Sequence, residues 1–148
     1  MDVFTRTFLP AAAEAGVAIP TASRHLPIFQ RCVEADESAV LVTRCTRPDA
    51  PASGDFLLLL TNRRLVVTRE TRVLHRLGLH LNATLRQLAH VAWSTDLRDG
   101  TMELSATAVD GVRERFQMRM AQPDRVWALD ALLKHVFTER RRNVSLAA

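Results

Sequence analysis

Apolar and polar residues alternate most cleanly in the last third of the chain. Met102, Leu104, Ala106 and Ala108 fall on one side of an extended segment, and Thr101, Glu103, Ser105 and Thr107 fall on the other. In the segment that follows, Val112, Phe116, Met118 and Met120 alternate with Arg113, Arg115, Gln117 and Arg119. Glu114 alone sits on the apolar side, at the loop end where it is expected to reach water. A period of two predicts two antiparallel strands, each with one buried and one wet face. The turn between them carries Asp110-Gly111. A two-residue turn would set Phe116 opposite Ser105 and so oppose an apolar to a polar face. A three-residue loop, Val109–Gly111 with Gly111 left-handed, sets Leu104 opposite Phe116, Met102 opposite Met118 and Ser105 opposite Arg115. The second register is the one predicted.

Upstream, Phe56–Leu60 and Leu65–Thr68 are two apolar runs around a Thr61-Asn62-Arg63 corner, which reads as strand, tight turn, strand. Val40, Leu41, Val42 and Cys45 form an earlier strand, and Pro48, Pro51 and Gly54 break the ladder after it. Leu77, Leu79 and Leu81 alternate with Gly78, His80 and Asn82, favouring a short strand or an extended turn. Leu85, Leu88 and Val91 lead into Ala92–Asp96, and Asp99-Gly100 turns the chain. From Pro123 or Asp124 onward the period changes. Val126, Trp127, Leu129, Leu132, Leu133, Val136 and Phe137 make a broad apolar helical stripe, with Trp127 and Phe137 expected against the sheet. Arg140, Arg141 and Arg142 suit the negative end of that helix.

The first 36 residues read as a helical extension. Val3, Phe4, Phe8 and Leu9 precede Pro10, which opens a short Ala-rich stretch that Gly16 can stop. Thr21 or Ser23 can cap a second helix to about Glu34, with Pro27 tolerated in its first turn. Ile28, Phe29, Cys32 and Val33 follow helical spacing and should pack on the main body. The domain proper spans residues 37–140, and 141–148 read as a flexible tail.

The stretch from Gly54 to Thr68 resembles the recurring Gly-x-Leu-x-Leu-Thr-x-x-Arg-Leu hairpin of bacterial pleckstrin-homology-like (PH-like) domains. The order of strands before one C-terminal amphipathic helix extends that resemblance over about Ser38–Phe137, and Glu37 before Ala39–Leu41 fits it too. The resemblance implies a mainly β (α+β) fold, a strongly bent antiparallel sheet or barrel capped by that helix, and a helical N-terminal extension outside it. Fold families host sites rather than dictate them. Phosphoinositide-binding members of the PH family carry basic residues around the loop after the first strand. Here Thr46–Gly54 offers only Arg47 beside Asp49, so that lipid signature is missing.

A chain of 148 residues with 47% hydrophobic content makes one domain with a real core and needs no disulfide or metal staple. Cys32 and Cys45 lie in no metal or redox motif and read as free thiols. The longest apolar run, Phe56–Leu60, is far too short for a membrane span, and Asp2 and Glu14 are misplaced for a signal peptide. A cytoplasmic protein is expected. The net charge of +4 is unevenly spread: residues 1–54 are slightly acidic and the rest carries the basic surplus.

No catalytic constellation assembles. His25, His75, His80, His90 and His135 lack metal spacing, and Ser94, Ser105 and the cysteines have no adjacent base. Five glycines in the chain build no phosphate-cradling loop. A non-enzymatic protein without metal or cofactor is expected. Two surfaces are left as contact candidates. The apolar residues Phe4, Phe8 and Leu9 of the jointed N-terminus can dock onto a neighbouring chain, together with exposed sheet edges. Arg63, Arg64, Arg69 and Arg72, with Arg76, form a basic cluster facing the single acid Glu70. Strand alternation prevents all five from converging. The leading expectation is a protein-interaction module, with an unidentified protein or a second copy as partner. The alternative is peripheral attachment to anionic lipid through the arginines, at about 1 kcal/mol per basic group. Arg113, Arg115 and Arg119 project from the wet face of one strand, either pairing across the sheet with Glu103, Ser105 and Thr107 or forming a polyanion-binding row. Without aromatics between the arginines, nucleic acid is not an expected partner.

Overall fold

A computed structural model describes residues 1–120, 122 and 124–147, the last nine of them by their helical backbone alone. Their order is α1 (Val3–Glu14), α2 (Ile19–Cys32), β1 (Ala39–Cys45), β2 (Asp55–Thr61), β3 (Arg64–Glu70), β4 (Leu77–Thr84), a 3-10 turn (Leu85–Gln87), β5 (Ala89–Asp96), β6 (Thr101–Thr107), β7 (Arg113–Arg119) and α3 (Asp124–Ala147). The fold is α+β, with one antiparallel sheet ordered β1-β2-β3-β4 and a second ordered β5-β6-β7. The sheets meet at a seam where the Thr46 and Gln117 backbones exchange hydrogen bonds of 2.9 and 2.8 Å. Pro123 and the side chains of Arg140, Arg141 and Arg142 lie outside the described residues. Helical backbone runs across the stretch read as a tail, as far as Ala147.

β2 explains the architecture. Nearly all its residues are apolar because both of its faces are covered. Phe56, Leu58 and Leu60 face the interior between the sheets, with Leu65 and Val67 from β3, Leu104 and Phe116 from the second sheet, and Leu133 and Phe137 from α3. Leu57 and Leu59 face the other way, with Val42 and Val66, onto Phe4, Phe8 and Phe29 of α1 and α2. The N-terminal helices are therefore a third layer of the molecule.

Three local departures from expectation have physical causes. α1 runs straight through Pro10 rather than starting there. Asp2 caps it by accepting from the Thr5 N–H at 2.8 Å. Phe4, Phe8 and Ala12, spaced by four, bury one continuous face that outweighs the amide Pro10 lacks. α2 begins at Ile19 without the predicted Thr21 or Ser23 cap, and its first-turn proline is Pro20, which places Pro27 in the helix body. In β4 the leucine alternation is interrupted opposite Val67 and Thr68, which pair with Leu81 and Leu79. His80 is the extra residue of this bulge, and its ring stands edge-on to Phe56 and Phe116 at centroid distances of 5.4 and 6.1 Å.

The β6–β7 hairpin has the predicted register: Leu104 opposite Phe116, Met102 opposite Met118, Ser105 opposite Arg115. Its loop is Val109–Gly111, with Gly111 at φ +84°. Glu114 does not reach water as expected. It is buried, with its Oε2 3.1 Å from His80 Nε2 and 3.6 Å from Arg47 Nη2, two partners supplied by the β4 bulge and the β1–β2 loop.

Candidate functional site

The four arginines proposed as a patch belong to the two ends of the β2–β3 hairpin. At the turn, Arg63 makes a two-pronged contact with Asp36 at 2.8 and 3.0 Å. Arg64 donates through Nε to both oxygens of the fully buried Glu37 and through Nη1 to the Cys32 carbonyl. Thr61 donates to Glu37 at 2.8 Å, so the Thr61-x-x-Arg64 pattern locks the turn onto the end of α2. At the far end, Arg69 donates to the Ser53 carbonyl at 2.6 Å, and Arg72 lies 3.5 Å from Asp55. Six residue steps of strand, about 20 Å, separate Arg64 from Glu70. Arg63, Arg64 and Arg72 are thus paired with acids locally, Arg69 holds a carbonyl, and the four do not form one surface.

Phe4 and Phe8 are 1% and 0% exposed within their own chain. Their rings, with that of Phe29, form a ladder at 5.6 Å steps. This corrects their assignment to a partner surface: α1 has already found its apolar complement on the back of β1–β3. Only Leu9 of that trio stays partly exposed, at 40%.

Trp127 is a second correction. It was expected in the core and is 63% exposed. Val126, its neighbour, takes the inward position with Leu129, Leu133, Val136 and Phe137, and Trp127, about 100° further round the helix, falls outside that stripe. Trp127 therefore shares a side of α3 with Asp130 and Lys134, one and two turns on.

That side borders a groove of about 540 Å³ between α3 and β5, lined by His90 to Trp93, Lys134 and Phe137. Trp93 forms its floor. The indole N–H donates to Asp130 Oδ1 at 2.8 Å, and the ring packs 6.0 Å from that of Phe137. The Trp93 bond, reinforced by Lys134 Nζ at 3.1 Å, holds the Asp130 carboxyl below the usual carboxylate range. Among the described residues β5 pairs only with β6, so its other backbone edge lies open along the groove. A bulge between Ala89 and Ala92 and the positive φ of His90 (+50°) bend this edge at one end of the groove. Sequence reasoning missed the groove, although Trp93, Asp130 and Lys134 were visible. A half-buried indole needs an acceptor, and Asp130 with Lys134 four residues later marks one helix face.

Two of the three β7 arginines pair across the sheet, and Arg119, among the described residues, does not. Arg115 pairs with Glu103 and with Asp49, both at 2.7 Å, and Arg113 donates to Ser105 at 2.8 Å and Thr107 at 3.1 Å. Cys45 is buried at the end of β1, and burial pushes its thiol up to about 12, which rules out a reactive thiolate. Thr68, His25 and Glu70 stand in hydroxyl–imidazole–carboxylate order, but Thr68 is fully buried within the sheet, where no substrate reaches its hydroxyl. Among the described residues no helix is long and apolar enough to cross a membrane. No family model matches the chain, and no curated protein matches it in sequence.

Proposed function

We propose that this chain is a non-catalytic protein-interaction module of PH-like fold that takes an extended segment of a partner protein along β5. The four-plus-three strand arrangement with its C-terminal helix supports the PH-like reading. The observation that carries the function is the open β5 edge beside a groove, with an exposed tryptophan, Trp127, on the same side of α3 as the groove-lining Lys134. An unpaired edge offers a row of amides and carbonyls that a partner strand satisfies, and the groove offers apolar wall for its alternate side chains. Trp127 has the area and rigidity that make tryptophan an interface anchor. Attachment to anionic lipid is the weaker reading, because Arg63, Arg64 and Arg72 already hold acids.

Selection from a random-peptide library, followed by amide hydrogen exchange, tests the reading. Selected peptides are expected to slow exchange on β5 and to lose affinity in Trp127→Ala. Peptides that protect other strands and ignore Trp127→Ala would refute it. Salt-sensitive pelleting with phosphatidylserine vesicles, in place of peptide binding, would favour the lipid reading.

A further inference from the structure

A second cleft, of about 950 Å³, opens where the α1–α2 turn meets the C-terminal ends of β1, β3 and β7 and the start of β2. Two nearly buried polar groups belong to its wall. His25 of α2 is 2% exposed, and its Nδ1 lies 2.7 Å from the Thr68 hydroxyl. That hydroxyl also lies 3.4 Å from the Leu57 carbonyl, and the ring's other nitrogen, Nε2, has no hydrogen-bond partner. Nε2 faces Glu70 Oε2 at 3.8 Å, too far for a hydrogen bond. The other oxygen of Glu70 is occupied by Arg24 Nη1 at 2.7 Å. Among the described residues no enclosed side-chain nitrogen or oxygen lacks a hydrogen-bond partner. Nε2 and Oε2, with none, are therefore open to the cleft.

Arg44 and Arg119 line the same cleft. Arg44 donates only to the Thr21 hydroxyl at 3.3 Å, and Arg119 has no ion pair or hydrogen bond among the described residues. The acids nearby are engaged, Glu70 with Arg24 and Asp55 with Arg72. The cleft thus combines two guanidiniums without an acid and an imidazole nitrogen and a carboxylate oxygen without hydrogen-bond partners.

The structure assigns this cleft as a binding site for a small organic anion that also carries a hydroxyl or amino donor. Its anionic end takes Arg44 and Arg119, and its polar group sits between His25 Nε2 and Glu70 Oε2: a hydroxyl there accepts from Nε2–H and donates to Oε2, and an ammonium donates to both. Two atoms 3.8 Å apart both lie within ordinary hydrogen-bond reach, about 2.8 Å, of one polar atom set between them. The volume lies within the range of small-molecule sites. The site is separate from the β5 groove and does not depend on it.

Titration with glycerol 3-phosphate and with serine, followed through the imidazole ¹⁵N resonances, tests the assignment. His25→Gln identifies the His25 signal. At least one probe is expected to shift that signal saturably at millimolar concentration. Removing both guanidiniums in Arg44→Gln/Arg119→Gln is expected to weaken binding by about tenfold or more. An unchanged melting temperature in that variant shows the fold is intact, since neither arginine has an acidic partner to lose. No His25 shift with either probe would overturn the site. Undiminished binding by the double variant would overturn the role of the arginines. Sulfate has no donor, and sulfate binding as tight as that of glycerol 3-phosphate would overturn the role of His25 and Glu70.

Discussion

Phe8 and Trp127 show why a residue's hydrophobicity does not say where it is used. Phe8 was a candidate anchor for a partner, yet it sits wholly inside between Phe4 and Phe29. Phe8→Ala should therefore cost about 3–5 kcal/mol in a denaturant titration, as a buried aromatic does, with no change in mass by light scattering. Trp127→Ala should shift stability by less than about 0.5 kcal/mol, since little of the ring is packed. His25 supplies the pH dependence at this scale. Burial against Phe29 and Thr68 lowers its pKa, and Glu70 only partly offsets that. Below about pH 6.5 the unfolded chain takes up a proton that the native imidazole resists. Stability should accordingly be full above that pH, decline as pH falls toward the lower native value, and level off beneath it. Urea midpoints taken between pH 8 and 5 check this, and His25→Gln should flatten that part of the profile.

Strands were the most legible elements, because a period of two and a turn residue together fix register. The β6–β7 hairpin follows from where Ser105 and Phe116 can face, and Gly111 completes it at φ +84°. Nothing lies within 4 Å of a Cβ built at Gly111, so Gly111→Ala carries conformational strain alone, about 1–2 kcal/mol. Gly54 is harsher. At φ +138° its Cβ would sit 2.8 Å from the Glu70 carbonyl oxygen, inside the β2–β3 ladder. Thermal unfolding should rank Gly54→Ala well below Gly111→Ala, and the reverse order would contradict the strand pairing at Asp55 and Glu70. The helices were less legible. Proline rules placed a helix start at Pro10 and Pro27 in a first turn, but packing of Phe4, Phe8 and Ala12 carried α1 across its proline. The groove escaped for a different reason: its floor pairs Trp93 with Asp130, residues 37 apart, and no local pattern reports such a contact.

At the scale of the molecule, one clue to the third layer was in the sequence and was read for only one face. Alternate residues of a strand face opposite sides, so Leu57 and Leu59 cannot share an interior with Phe56, Leu58 and Leu60. A strand apolar on both faces requires cover on both, and α1 and α2 are the cover. The helices are also tied down at their ends. The Phe4 N–H donates to the Ala35 carbonyl, the Thr7 hydroxyl accepts from the Ala39 N–H at 2.8 Å, and Arg64 holds the last turn of α2. Deleting residues 1–20 therefore removes part of the core, although every strand lies downstream. It would uncover Val42, Leu57, Leu59 and Val66, a contiguous apolar face of the kind that soluble monomers avoid. The truncated chain should melt far lower or aggregate, with the intact protein keeping the mass set by whatever interface it has elsewhere. A truncated protein that melts like the parent but forms a smaller assembly would mean that α1 serves a neighbouring chain, and would remove the three-layer account of β2.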